Sequence, residues 1–260
     1  MMDGLKQHYD KEAKEKSLSA KSTMEDIFTR NLEVIKIEET IRNLLENKEH
    51  KTILEVGCGN GYTISKLARK YDCKFIGIDS NESMIKIALK RKVKNANFIV
   101  SDILKPKFDD EAFDIVFSER CLINLHSWDL QCKALMQIYK VLRKGGHYLM
   151  LEAFDDGLNE LNQARKSVGL KKISPAWHNY YFKKRRFESY VKGKFVGRNK
   201  RKITYDNFLS SYYFGSRVLY PSLIEGKMPI KYNTEFAKYF SLIPSVGNYS
   251  QLQLCVLQKI

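Results

Sequence analysis

From residue 52 onward, apolar residues along this chain recur in two alternating rhythms. Short runs rich in β-branched and aromatic residues read as strands at 52–56, 74–79, 97–101, 113–118 and 146–152. Between them, apolar positions three and four apart predict helices at 61–70, 82–92 and 128–142. Such alternation predicts an α/β protein with a Rossmann-like, doubly wound parallel sheet. Upstream, residues 24–48 carry helical spacing and are expected to pack beside the sheet, whereas 1–23 are polar and expected to be loose. Downstream, a helix is expected at 157–168, ended by Gly169. The stretch from Lys171 to Lys202 mixes aromatic and basic residues without a clean period, and 208–220 and 250–258 read as two further strands.

A chain of 260 residues can bury a full core and suits one α/β domain with additions, or at most two small domains. No apolar run approaches the roughly 20 residues a membrane-spanning helix needs. The N-terminal MMDGLKQHYDKEAKEK is too polar for a signal peptide. Five cysteines (58, 73, 121, 132 and 255) lack metal or redox spacing, so free thiols and a cytoplasmic setting are expected, with no metal site. The net charge of +15 is concentrated: residues 160–204 hold fourteen Lys or Arg against two acidic residues. Local positive charge of this density raises the concentration of anionic partners. It is equally the signature of a solvated basic loop.

The strongest chemical signal is ILEVGCGNG at 53–61. A buried strand turns into a helix across Gly57, Gly59 and Gly61, so a ligand can approach the backbone and meet unpaired N–H groups at the helix start. Asp79 follows at the end of the next strand, FIGID, where a carboxylate can accept ribose hydroxyls. A dinucleotide fingerprint reads G-x-G-x-x-G, with the third glycine admitting a pyrophosphate. Here the spacing is E-x-G-x-G-x-G, beginning at Glu55.

That spacing resembles motif I of class I S-adenosylmethionine-dependent methyltransferases. The resemblance runs from Lys51 to Glu152, through GIDSNESM (77–84), SDI (101–103), FDIVFSER (113–120) and VLRKGGHYLMLE (141–152). It implies a seven-stranded sheet, with 208–220 and 250–258 as a closing hairpin and a basic insertion after strand five. It also implies S-adenosylmethionine as cofactor. Glu55 would order the glycine turn, with Gly57, Gly59 and Gly61 admitting the ligand. Asp79 and Ser80 would lie at the ribose, and Met84, Asp102 and Ile103 at the adenine. Glu119, and Arg30 and Tyr9 from the N-terminal segment, complete the cofactor set. Four segments follow: an N-terminal lid and helix (1–50), the cofactor-binding core (51–152), a substrate-recognition insertion (153–207) and the closing hairpin (208–260).

On the substrate side, the residues after strand four read SERCLIN, unlike the N/D-P-P-Y/F motif that grips a planar amine. Two general-base candidates stand out: Glu152 at the rim of strand five, and His178 in PAWHNYYF, whose ordinary pKa near 6.5 suits proton transfer. Arg120, Asn124, Tyr180, Lys184, Arg185 and Arg186 are candidate substrate contacts. FSERCLINLHSW, LEAFDDGLNELNQARKSVGL and WHNYYF are similar to small methyltransferases of surface-polysaccharide biosynthesis. That similarity implies O-methylation of an anionic sugar or phosphoramidate-type precursor, a small-molecule or glycoconjugate acceptor. An RNA methyltransferase, or an N-methyltransferase of an amino sugar or other small molecule, is the alternative. The sequence leaves oligomeric state open.

Overall fold

A computed structural model describes residues 3–45, 51–198, 202–224 and 232–260. Five parallel strands form the body of one sheet: β1 (Thr52–Val56), β2 (Lys74–Asp79), β3 (Ala96–Val100), β4 (Phe113–Glu119) and β5 (Leu142–Ala153). β8 (Leu252–Lys259) is added antiparallel to β5, with β6 (Phe195–Gly197) beyond it, and the order is β3-β2-β1-β4-β5-β8-β6. Both faces of the central strands are covered, so Ile53, Leu54, Phe75, Val116, Phe117 and Leu149 are buried without alternation. Helices α3 (Tyr62–Leu67), α4 (Glu82–Leu89) and α5 (Trp128–Val141) make the crossovers, and α2 (Ile27–Leu44) packs beside the sheet. Asp26, Asn81 and Ser127 cap α2, α4 and α5 by accepting the N–H groups of Thr29, Met84 and Leu130.

Two expectations from the pattern are corrected. Residues Asp3–Lys16 form a helix, α1, rather than a loose segment. Its apolar contribution is small, chiefly Leu5 and Ala13, and it rests on α4, where Ala13 and Tyr9 pack against Met84 and Ile87. The second correction concerns 208–220, which is helical throughout most of its length rather than a strand. α8 (Ser210–Phe214) runs through a π-helical turn (Gly215–Leu219) into α9 (Tyr220–Leu223). Leu209, Tyr212, Tyr213 and Val218 are buried together, and Arg217 reaches Asp26 at 2.7 Å. Gly215 lies so close to the Phe240 ring that a Cβ there would collide with it. α10 (Glu235–Ser241) completes this helical cap.

The outer neighbour of β8 therefore comes from the basic segment and the residues just after it. β6 (Phe195–Gly197) and β7 (Tyr205–Asp206) both pair antiparallel with β8, end to end along one edge. The seventh position of the sheet is thus shared by two short strands, giving eight among the described residues. Between β5 and β6 lie α6 (Asp155–Ser167), a loop carrying His178, and α7 (Lys184–Val191). The expected helix at 24–48 ends at Leu44, and 46–48 lie outside the described residues.

Candidate active site

A cavity of about 770 Å³ opens at the carboxyl ends of β1, β2 and β4, where an open parallel sheet offers its crevice. Its floor is the turn after β1. Gly57, Gly59 and Gly61 all have positive φ, at 75°, 50° and 71°. The Gly57 and Cys58 N–H groups donate to Ile78 O at 2.8 and 2.9 Å, tying the turn to β2. A Cβ on Gly57 would collide with Cys121 Sγ, whereas one on Gly59 would meet nothing within 4 Å. Gly57 therefore serves close packing against the turn after β4, and Gly59 leaves a cradle open to the cavity. Gly61 is the left-handed N-cap of α3, packed against Phe98, and stands behind the cavity wall rather than on it.

Asp79 is oriented by two backbone donors: Gly59 N–H at 2.9 Å to Oδ2 and Asn81 N–H at 2.8 Å to Oδ1. Burial pushes its carboxyl up, opposed by those two bonds. Ser80, Met84, Asp102 and Ile103 line the same end, and Asp102 accepts the Leu104 N–H at 2.9 Å. Glu55 is buried on the floor, and its Oε2 has no hydrogen-bond partner among the described residues. Burial, reinforced by nearby Glu119, raises its carboxyl well above the carboxylate range. Arg30 is buried too, and its Nε likewise has no such partner.

Beside this floor sits a buried ionic quartet, of which Arg30, Glu119 and Arg120 line the cavity. Arg30 pairs with Glu119, Arg120 Nε approaches Glu33 Oε1 at 2.9 Å, and Thr63 Oγ1 donates to Glu119 Oε2 at 2.7 Å. Arg30 also lies 3.9 Å from Glu33 Oε2 and Arg120 3.7 Å from Glu119 Oε1. Burial raises the Glu33 carboxyl to about 8, despite Arg120 beside it. Arg30 and Arg120 outweigh burial at Glu119 and hold it below its ordinary value. Arg120 has φ 53°, so the left-handed backbone after β4 aims its guanidinium back into this cluster. Two arginines thus face Glu119, which they keep ionised, and Glu33, which burial drives toward its neutral form.

α1 and the turn after it are strapped across the cleft. Asn124 Nδ2 donates to Tyr9 Oη at 2.8 Å, Asn81 Nδ2 to Asp10 at 2.9 Å, and Asn60 Nδ2 to Ser17 O and Ser19 O at 2.8 and 3.0 Å. Leu5, His8, Tyr9, Glu12 and Lys16, one face of α1, line the cavity. Burial, with Asp79 nearby, raises the Tyr9 phenol. Opposite in sequence but on the same cavity are His126, Ala176, His178, Asn179, Tyr181 and Gln251. His178 stacks on His8, with ring centroids 5.0 Å apart at 29°. Burial, then His8 and His126, lower the His178 pKa below its ordinary 6.5.

Several expected site residues lie elsewhere. Glu152 is fully buried and does not line the cavity. It accepts Ser118 Oγ–H at 2.7 Å and the N–H groups of Cys121, Leu122 and Ile123, so its lone pairs are taken up in holding the turn after β4. Tyr180 points outward, with its backbone bonded to Ile123 and Gln131. Lys184 pairs with Asp156 at 3.0 Å over the Tyr205 ring, and Arg186 covers Trp128. Neither these two nor Arg185 reaches the cavity. The 183–186 cations begin α7 and face away from the cofactor crevice because α7 packs Phe187 and Val191 inward. Conversely, His8 and His126 were not singled out by sequence reasoning. The available signal was the spacing of Leu5, His8, Tyr9, Glu12 and Lys16 on one helical face, obscured by the segment's polarity.

Among the described residues no group of three His, Cys, Asp or Glu could hold a metal ion. No helix among them is long and apolar enough to cross a membrane. The fold and this crevice define a class I methyltransferase domain, whose cofactor is S-adenosylmethionine. The methyltransferase-domain family model matches residues 47–187, and the chain belongs to that family. It is 31% identical over 114 residues to phosphoethanolamine N-methyltransferase 2 of Caenorhabditis elegans, covering 42% of this chain and 25% of that protein. It is 27% identical over 133 residues to sterol 24-C-methyltransferase of Aspergillus fumigatus, covering 47% and 34%. The matched regions thus span a quarter to a third of these curated relatives. Among solved structures, phosphoethanolamine N-methyltransferase 1 of Haemonchus contortus, with phosphoethanolamine and S-adenosylhomocysteine, superposes with a TM-score of 0.62. That match has 16% identity and covers 99% of this chain and 48% of that one.

Proposed function

We propose that this protein transfers a methyl group from S-adenosylmethionine to a hydroxyl of a small phosphate-bearing acceptor, a sugar or phosphoramidate-type precursor of a surface polysaccharide. The observation that carries the reading is that His178 lines the same cavity as Asp79 and the Gly57–Gly59 turn. The cofactor supplies, when bound, an electrophilic methyl on a sulfonium cation. Around it, Asp79 accepts the ribose hydroxyls, while Met84, Asp102 and Ile103 bracket the adenine. Glu55 Oε2 and Arg30 Nε, both buried without partners, suit the two charges of the methionyl tail. α1 excludes water from the cleft. His178, kept neutral by burial and by its histidine neighbours, takes the acceptor's proton as the hydroxyl attacks.

A named relative that acts on phosphoethanolamine supports a phosphate-bearing acceptor and also favours a second reading. In that reading the acceptor is an amine presented with its lone pair free, and no base is needed. The RNA alternative draws on the basic segment, but Lys184, Arg185 and Arg186 do not line the cavity. The test is a mass-spectrometric screen for methyl gain on sugar phosphates, nucleotide sugars, phosphoethanolamine and total RNA. Methyl gain on a sugar phosphate that falls sharply in His178→Ala is the expected result. Binding of NAD without any response to S-adenosylhomocysteine would overturn the methyltransferase reading itself.

A further inference from the structure

We infer that His8 and His126 form, beside His178, a subsite for the phosphate of a small phosphate monoester. The inference rests on the proposed methyl transfer for the identity of the acceptor, but its ligand chemistry stands on the cavity alone. Three imidazoles from three separate elements reach one cavity: His8 from α1, His126 from the turn before α5, and His178 from the loop after α6. Trp177 fixes the His8–His178 pair by meeting both rings edge-on, with centroids 6.1 and 5.1 Å away. His126 Nε2 and His178 Nδ1 are buried with no hydrogen-bond partner among the described residues. Unmet buried donors or acceptors carry a cost that a ligand can relieve.

The sign of that ligand follows from the neighbours. Beyond burial, the groups that act on His178 are His8 and His126, with no carboxylate among them. The cavity's other cations are already engaged: Arg30 and Arg120 in the ionic quartet, and Lys16 with Glu12 at 3.3 Å and Glu25 at 3.6 Å. Glu12 also accepts the Thr23 N–H at 2.9 Å. Arg30 Nε, which has no partner of its own among the described residues, is taken by the cofactor's carboxylate in the proposed function, so the histidines are the ring donors left for a second anion. A metal is a poorer occupant, since no group of three suitable ligands occurs among the described residues. A phosphate offers several acceptor oxygens to the His8 and His126 rings on the wall of one cavity, and its charge offsets the repulsion that both exert on His178. The 5.0 Å stack of His8 on His178 also sets a length. A hydroxyl at His178 and a phosphate at His8 must lie only a few bonds apart, which selects a compact phosphorylated polyol or sugar over a long nucleotide sugar.

Inorganic phosphate is the probe. It is titrated into the full chain, with and without S-adenosylhomocysteine, while histidine ring resonances are followed by NMR and chloride keeps ionic strength constant. Saturable shifts in the His8 and His126 rings are expected. His8→Gln and His126→Gln should each weaken phosphate about fivefold or more, with S-adenosylhomocysteine affinity little changed. Shifts no larger than those with chloride, or equal phosphate affinity in both variants, would overturn the subsite. Acetate binding as tightly as phosphate would overturn its assignment to phosphate. Calorimetry with S-adenosylhomocysteine on the same samples separates the two claims. Cofactor binding without phosphate binding sinks this inference alone, and phosphate binding without cofactor binding sinks the proposed function alone.

Discussion

The Glu152 carboxylate accepts the Leu122 N–H at 3.0 Å, joining the end of β5 to the turn that follows β4. With Cys121, Ile123 and Ser118 also donating to it, Glu152 anchors the turn that carries Asn124 and presses Cys121 against Gly57. Its place at the strand rim suggested a general base, but a carboxylate enclosed by four donors and closed off from the cavity holds geometry.

Glu152→Gln follows from that geometry. At pH 5 the wild-type carboxyl is protonated, but both of its oxygens can still accept an N–H, which the amide nitrogen of Gln cannot, so the variant should lose roughly 1–3 kcal/mol of stability there. Burial raises the Glu152 carboxyl to about 7 from 4.5. A raised folded-state pKa means the native state binds the proton more tightly than the unfolded chain. The associated stability is therefore complete below about 4.5 and is lost as pH rises through about 7. The gap between wild type and variant should narrow from pH 5 to pH 8 in denaturant unfolding. An equal gap at both pH values would contradict it.

His178→Ala should lower turnover about a hundredfold if the acceptor is a hydroxyl, with cofactor affinity nearly unchanged. Burial, His8 and His126 depress the His178 pKa, so the neutral base persists to below pH 6.5. Wild-type turnover should fall only as pH drops through that lowered value. In the variant this acid limb should disappear. Near-normal turnover in His178→Ala would instead indicate an amine acceptor.

Asp79→Ala removes a carboxylate that two backbone N–H groups hold toward the cavity. Calorimetry should register a loss of roughly 1.5–3 kcal/mol in S-adenosylhomocysteine binding, the range for hydrogen bonds to a charged group. Unchanged affinity would mean the ribose lies elsewhere.

Replacing Lys184, Arg185 and Arg186 together by Ala should leave the KM of a small phosphorylated acceptor essentially unaltered, because none of the three lines the cavity. Turnover measured across an ionic-strength series should show a shallow dependence. Binding of total RNA with a steep log–log salt slope, reduced in the triple variant, would restore the RNA reading through counterion release.

How much of this was legible in the sequence depends on the range of the forces involved. The alternating core, the glycine turn and Asp79 are written locally, since periodicity sets strand and helix, and Gly57, Gly59 and Asp79 meet through adjacent parallel strands. Those features alone determine the fold class and the cofactor crevice. Elsewhere only the tertiary structure decided. α1 is too polar to declare itself and is helical against α4, while 208–220 has the composition of a strand but buries Arg217 on Asp26 in a helical cap. The edge of β8 is completed instead by β6 from the basic segment and β7 just after it, a pairing that short, unpatterned strands cannot announce. Glu152 and Lys184 had the right chemistry in the right neighbourhood, yet side-chain direction gave one to a backbone turn and the other to Asp156. His8, His126 and His178 lie far apart in the chain and share a cavity only because α1, the turn before α5 and the loop after α6 come together in the fold. Long-range packing, unlike periodicity, leaves no local mark in a sequence.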